Sequence, residues 1–163
     1  MKKYSREDQK LMAAWAADCT ERVLPFFESA YSGDKRPRTA LDVCRRWIDF
    51  GSFSMEEIRG ASLGAHAAAR EAASNNPASF AARAAGQAVA TAHVPQHAYG
   101  AAYYALKAIA AADPANAETA VSAEYAWQSG ELPEHLGEEM MKRIVIRRGS
   151  GRVTIIIDKT GDF

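Results

Sequence analysis

His93 and His97 stand four residues apart. On one continuous helix that spacing turns two imidazoles to the same side and can chelate a metal. Val94 occupies the place where an HExxH zinc site needs its glutamate, so the general-base half of that motif is missing. Pro95 lies between the two histidines. Proline fixes φ and lacks an N–H, which suits a first helical position and not an interior one. His93 is therefore expected to end one helix and His97 to sit in the first turn of the next. His66, on the apolar face of its own segment, is the candidate third imidazole. One reading is a metal-binding helical protein or enzyme that uses His66, His93 and His97. The simpler reading is a set of helix-end and core histidines bonded to backbone or carboxylate, with no cofactor.

Asp18 and Arg22 share the same i, i+4 spacing, as do His66 and Arg70. Arg22 falls within the apolar stripe of its helix. A buried guanidinium needs a partner, and Asp18 is the nearest in sequence. These spacings predict a buried polar network of Asp18, Arg22, His66, Arg70 and His93 where helices cross. No Ser or Cys stands beside a base in an arrangement that would activate it, and no carboxylates pair on an obvious cleft. Gly149-Ser150-Gly151 lacks the Lys-Ser/Thr and the following helix of a phosphate loop.

The elements that must position these residues are legible from periodicity and punctuation. The stretch Phe80–Leu106 carries almost no charge, yet its polar residues are spread through it and Pro95 divides it. Its first half is apolar nearly all round, apart from a stripe of Arg83, Gln87 and Thr91. Its second half places Tyr99, Tyr103, Leu106 and Ala110 on one stripe. Helices of this kind must be enclosed by protein, so two central Ala-rich helices with others packed around them are expected. About a fifth of the residues are alanine, which favours helix and lets axes approach closely. Trp15, Phe26, Phe27, Trp47, Phe80, Tyr99, Tyr103 and Trp127 must then fill the space that alanine leaves.

Ser5-Arg6-Glu7-Asp8 and Ser54-Met55-Glu56-Glu57 read as N-terminal caps. Pro25 should kink or end the first helix. Tyr31-Ser32-Gly33-Asp34 reads as a turn, a second helix starts near Pro37, and Gly51 ends it. Asn76-Pro77, Pro95, Asp113-Pro114 and Pro133 each mark a further helix start. The fold class is all-α: a compact array of about seven helices. The end of the chain changes character. Ile144–Arg148, Gly149-Ser150-Gly151 and Arg152–Ile157 read as a β-hairpin with a three-residue loop. The alternatives are a helix continuing to about Arg147 and a disordered tail.

The 163 residues suit one main domain. Lys plus Arg equals Asp plus Glu, so bulk charge gives no support for nucleic-acid binding. No apolar run is long enough to span a membrane, and MKKYSREDQK does not read as a signal peptide. Two cysteines, Cys19 and Cys44, are too few for a disulfide scaffold. A reducing cytoplasm is the simplest expected location.

Three segments carry a family likeness as a set: Trp15–Pro25, Ala65–Arg70 and Ala84–Pro95, with Leu132–Leu136 in addition. Together they resemble the immunity proteins of bacterial polymorphic-toxin systems, in the immunity-five-like helical family. The resemblance spans roughly residues 8 to 142. It implies an all-helical, non-enzymatic protein that binds and neutralises a cognate toxin, and it brings no catalytic residues to carry over. On this reading residues 1–143 form the immunity-like domain and 144–163 a tail or hairpin that departs from the family pattern. Candidate partner surfaces are the loop Tyr31–Arg38 and that tail. A self-associating structural module, dimerising through the tail, is the remaining alternative.

Overall fold

The computed structural model describes residues 2–163, which form seven α-helices and one β-hairpin. The helices are α1 (Arg6–Ala30), α2 (Arg36–Phe50), α3 (Met55–Glu71), α4 (Asn76–Ala90), α5 (His97–Ala112), α6 (Ala117–Gly130) and α7 (Glu134–Arg143). A 3-10 turn, Pro114–Asn116, leads into α6. Strands β1 (Ile144–Gly149) and β2 (Arg152–Ile157) follow α7 without a linker.

The Ala-rich middle is the enclosed pair expected from its composition. α4 packs against α1, α2, α3 and α5, and α5 packs against α1, α4, α6 and β2. The alanines at 81, 82, 84, 85 and 88 on α4, and 101, 102 and 105 on α5, are wholly buried. Their small side chains let the backbones meet, and the larger side chains of the surrounding helices close the gaps. Trp47, Phe27, Met12, Leu24 and Leu41 are the bulkiest of these, and α5 adds its own Tyr99. Two glycines mark the closest approaches. A Cβ on Gly86 would lie 2.7 Å from His66 Nε2, and one on Gly100 would lie 2.5 Å from Gln87 Oε1.

The punctuation acts as its chemistry requires. Ser5 Oγ accepts from the Asp8 N–H at 3.0 Å, and Ser54 Oγ from the Glu57 N–H at 3.3 Å. Gly51 ends α2 in the left-handed region at φ 69°. Asn75, one residue earlier than expected, caps α4 by accepting from the Ala78 N–H at 3.2 Å. Buried Gln9 reaches across from α1 and donates to the carbonyls of Thr91 and Ala92 at 2.8 and 3.0 Å. It thereby satisfies acceptors that the end of α4 leaves unbonded.

Two expectations are corrected. Pro25 does not end the first helix, because α1 runs through it to Ala30. Pro25 is exposed, while Val23, Leu24 and Phe27 around it are buried. Their packing offsets the missing backbone bond. The hairpin loop has two residues, not three, since Gly149 pairs with Arg152. Ser150 and Gly151 both have positive φ, at 51° and 71°, as a type I′ turn requires.

The hairpin is tied to its own chain. Ile144 and Ile155 join the main core, and Tyr125 Oη donates to the Met141 carbonyl at 2.8 Å just before it. Arg143 donates to the carbonyls of Asp158, Thr160 and Asp162, at 3.2, 2.9 and 2.8 Å. Phe163 packs on Tyr99 with ring centroids 5.2 Å apart. The Lys2 N–H donates to the Phe163 carbonyl at 3.3 Å. No described helix is long and apolar enough to cross a membrane.

Candidate functional site

The residues singled out from their spacing do not assemble into one network. Arg22 turns to Glu124, not to Asp18: its Nε and Nη2 donate to the Glu124 carboxylate at 2.9–3.0 Å. Asp18 pairs instead with Arg45 at 2.8 Å. Glu124 is the buried member of its pair, and Arg22 caps it from the solvent side while stacking on the Trp127 ring at 4.0 Å. Position 124 lies between Val121 and Gln128 on the inward stripe of α6. That carboxylate on an apolar stripe was the sequence signal for Arg22's partner. Arg70 and His93 are exposed, so neither belongs to a sealed network.

His66 is half-buried, with its ring against the α4 backbone at Gly86. Ser62 Oγ donates to the Gly86 carbonyl at 2.9 Å at the same crossing. His97 opens α5, and its Nδ1 lies 2.8 Å from Gln87 Oε1. Burial lowers the pKa of both imidazoles. For His66 the Arg83, Arg70 and His97 charges act in the same direction, and for His97 those of His93 and Lys159 do. Among the described residues no group of three or more His, Cys, Asp or Glu side chains is arranged to hold a metal ion. The proposed set of His66, His93 and His97 is therefore not assembled as ligands.

His97 instead stands on the wall shared by two surface depressions. One is a cleft of about 530 Å³ between α5, the α4–α5 junction and the end of the chain. Tyr103, Tyr104, Lys159 and Phe163 line it with His97. The other is a groove of about 270 Å³ between α3 and the α4–α5 junction, walled by Met55, Ile58, Leu63 and His93. Of the large exposed apolar side chains, Leu63 at 56% exposure and Met55 at 41% wall this groove, and Phe50 at 78% and Phe53 at 44% stand at the end of α2 and in the loop that leads to Met55.

The loop Tyr31–Arg38, a candidate partner surface, is tied by charge to α1 and α3. Arg36 binds Asp34 and Glu71, and Arg38 binds Glu21 and Glu28. The tail, the second candidate, forms one side of the larger cleft.

A family model described as "Imm-5 like putative immunity protein" matches residues 2–135. The chain belongs to that Imm-5 like family. No curated protein matches it, and no solved structure does. The Imm-5 like match covers α1 to α6 and ends just inside α7, so the hairpin and tail lie beyond it. Both depressions are walled largely by residues within the matched region, and the tail completes the larger one.

Proposed function

We propose that this chain binds a cognate protein toxin and neutralises it by occlusion, without catalysing a reaction. Family membership supplies the class of role. The observation that carries the reading to a surface is the exposed pair Met55 and Leu63 in the α3 groove, with Phe50 and Phe53 exposed in the chain just before Met55. Single exposed apolar residues are ordinary, but two that share a groove, with two more in the six residues that lead into it, mark a place that a partner covers. Arg59 and His93 border the groove and supply the polar rim that surrounds the dry centre of a protein interface. A stable complex needs about 800 Å² from each partner, roughly a tenth of this chain's 8085 Å² surface. The α2–α3 corner and its groove can supply the centre of such an area.

The test is co-expression with the toxin. Growth should be rescued, and a stoichiometric complex should be recovered by size-exclusion chromatography. Phe53→Glu and Leu63→Glu should abolish rescue while leaving thermal stability within about 0.5 kcal/mol, since both side chains already face water. Rescue by far less than one equivalent of protein would point to an enzymatic mode and overturn the occlusion reading.

A further inference from the structure

The α4–α5 face beside the groove has a charge pattern unlike the rest of the molecule. Between Glu71 and Asp113 the chain contains no carboxylate. Arg83 on α4 and Lys107 on α5 lie in that interval, and the tail brings Lys159 to the same side. None of the three has an ion-pair partner among the described residues. The arginines of α2 are the opposite case: Arg36, Arg38, Arg45 and Arg46 each bind a carboxylate from α1, α3 or the α1–α2 loop.

Arg83 and Lys107 are held by rings. Lys107 Nζ sits 4.5 Å from the Phe80 centroid and 5.3 Å from that of Tyr103, and the Arg83 guanidinium lies 5.8 Å from the Tyr104 centroid. Tyr103 and Tyr104 meet edge to face at 5.0 Å, and Phe80 and Tyr104 stack at 6.2 Å. A cation over a ring keeps its charge and loses mobility, so these charges are ordered in advance and left unneutralised. The charge of this face reaches both half-buried imidazoles, Arg83 bearing on His66 and Lys159 on His97.

We infer that this cation and aromatic face, with the cleft formed by Tyr103, Tyr104, His97 and Lys159, receives an acidic segment of the toxin. The inference rests on the toxin-binding reading and adds the chemistry of the partner. A protein segment fits better than a nucleic acid. The permanent cations are few, the chain has no net charge, and the surface continues across His97 into the apolar groove at Met55 and Leu63. A phosphate backbone has no use for that apolar floor, whereas a polypeptide offers carboxylates and apolar side chains together.

The experiment maps backbone amides of the ¹⁵N-labelled full chain while a deca-glutamate peptide is added at low ionic strength. Amides of Gly100, Tyr103, Tyr104 and Lys107 should shift, and the affinity should fall as salt is raised. The pair Arg83→Glu/Lys107→Glu should weaken the peptide about tenfold, a change of about 1.4 kcal/mol, since two attractions become repulsions. Lys159→Glu, on the tail, should weaken it as well and keeps the test open should the double variant not fold. Shifts elsewhere, or none, overturn the inference. So does a DNA oligonucleotide of equal charge that binds the same amides more tightly than the peptide. The toxin gives the second arm. A wild-type chain that neutralises the toxin no better than Arg83→Glu/Lys107→Glu removes this inference and leaves the toxin-binding reading standing. A wild-type chain that neutralises no toxin sinks that reading, and with it the occupant named here.

Discussion

Glu124 is the residue whose environment is most demanding. Its side chain is 4% exposed, and the Arg22 guanidinium supplies its only ion pair among the described residues. Arg22→Ala would strand a buried carboxylate, and leaving a buried charged group without its bonds is costly. Arg22 is itself 44% exposed, so water screens the pair and could reach part of the gap. The expected loss is about 1–3 kcal/mol by urea denaturation, whereas Asp18→Ala should cost well under 1 kcal/mol because its partner Arg45 stays solvated. The two half-buried histidines make a second prediction at this scale. Their pKa values lie below the ordinary histidine value in the folded chain, so the unfolded chain binds protons first as pH falls. Their contribution to stability is complete above the unfolded value of about 6.5 and is lost below it. The thermal midpoint should therefore drop as pH is lowered from about 7 to about 5. His66→Gln should flatten that slope without abolishing it: of the groups facing His66, Arg70 and Arg83 stay charged throughout and His97 still titrates.

At the scale of elements, the helices were legible because their ends are written in Ser, Asn, Gly and Pro. The enclosed α4–α5 pair was legible because alanine on every side leaves a helix no face for water. What misled was proline inside α1. Local chemistry sets its penalty, but packing of Val23, Leu24 and Phe27 overrides it. Pro25→Ala should restore the N–H that the Glu21 carbonyl lacks and raise stability by about 1–3 kcal/mol, seen as a higher thermal midpoint. The hairpin was legible in its strands and not in its register. Gly149 looked like part of the loop, yet it pairs with Arg152, and the positive φ falls on Ser150 and Gly151. The candidate site was the least legible part. Spacing along one helix suggested Asp18 for Arg22, whereas its partner Glu124 comes from another helix, and the three histidines, offered as an alternative metal set, lie on different elements whose relative placement spacing does not encode. The exposed corner at Phe50 and Phe53 could not be told from buried aromatics, because exposure depends on what the other helices cover.

For the molecule as a whole, a core rich in alanine concentrates its stabilisation in a few large side chains. Trp47 is 1% exposed and lies amid α2's buried face. Trp47→Ala should cost about 3–5 kcal/mol, a large share of the roughly 5–15 kcal/mol by which domains of this size are stable. Calorimetry should show a midpoint lowered by about 6–20 °C, at about 2–4 °C per kcal/mol for a domain of this length, or no cooperative transition at all. The contact between Lys2 and Phe163 has a different use. With the two ends side by side, a short linker could close the chain into a ring, which could be reopened at the exposed turn Ser32-Gly33. The resulting circular permutant should keep the same helices, and its new ends would sit on the α1–α2 side, where a label or surface tether can be attached without reaching either depression.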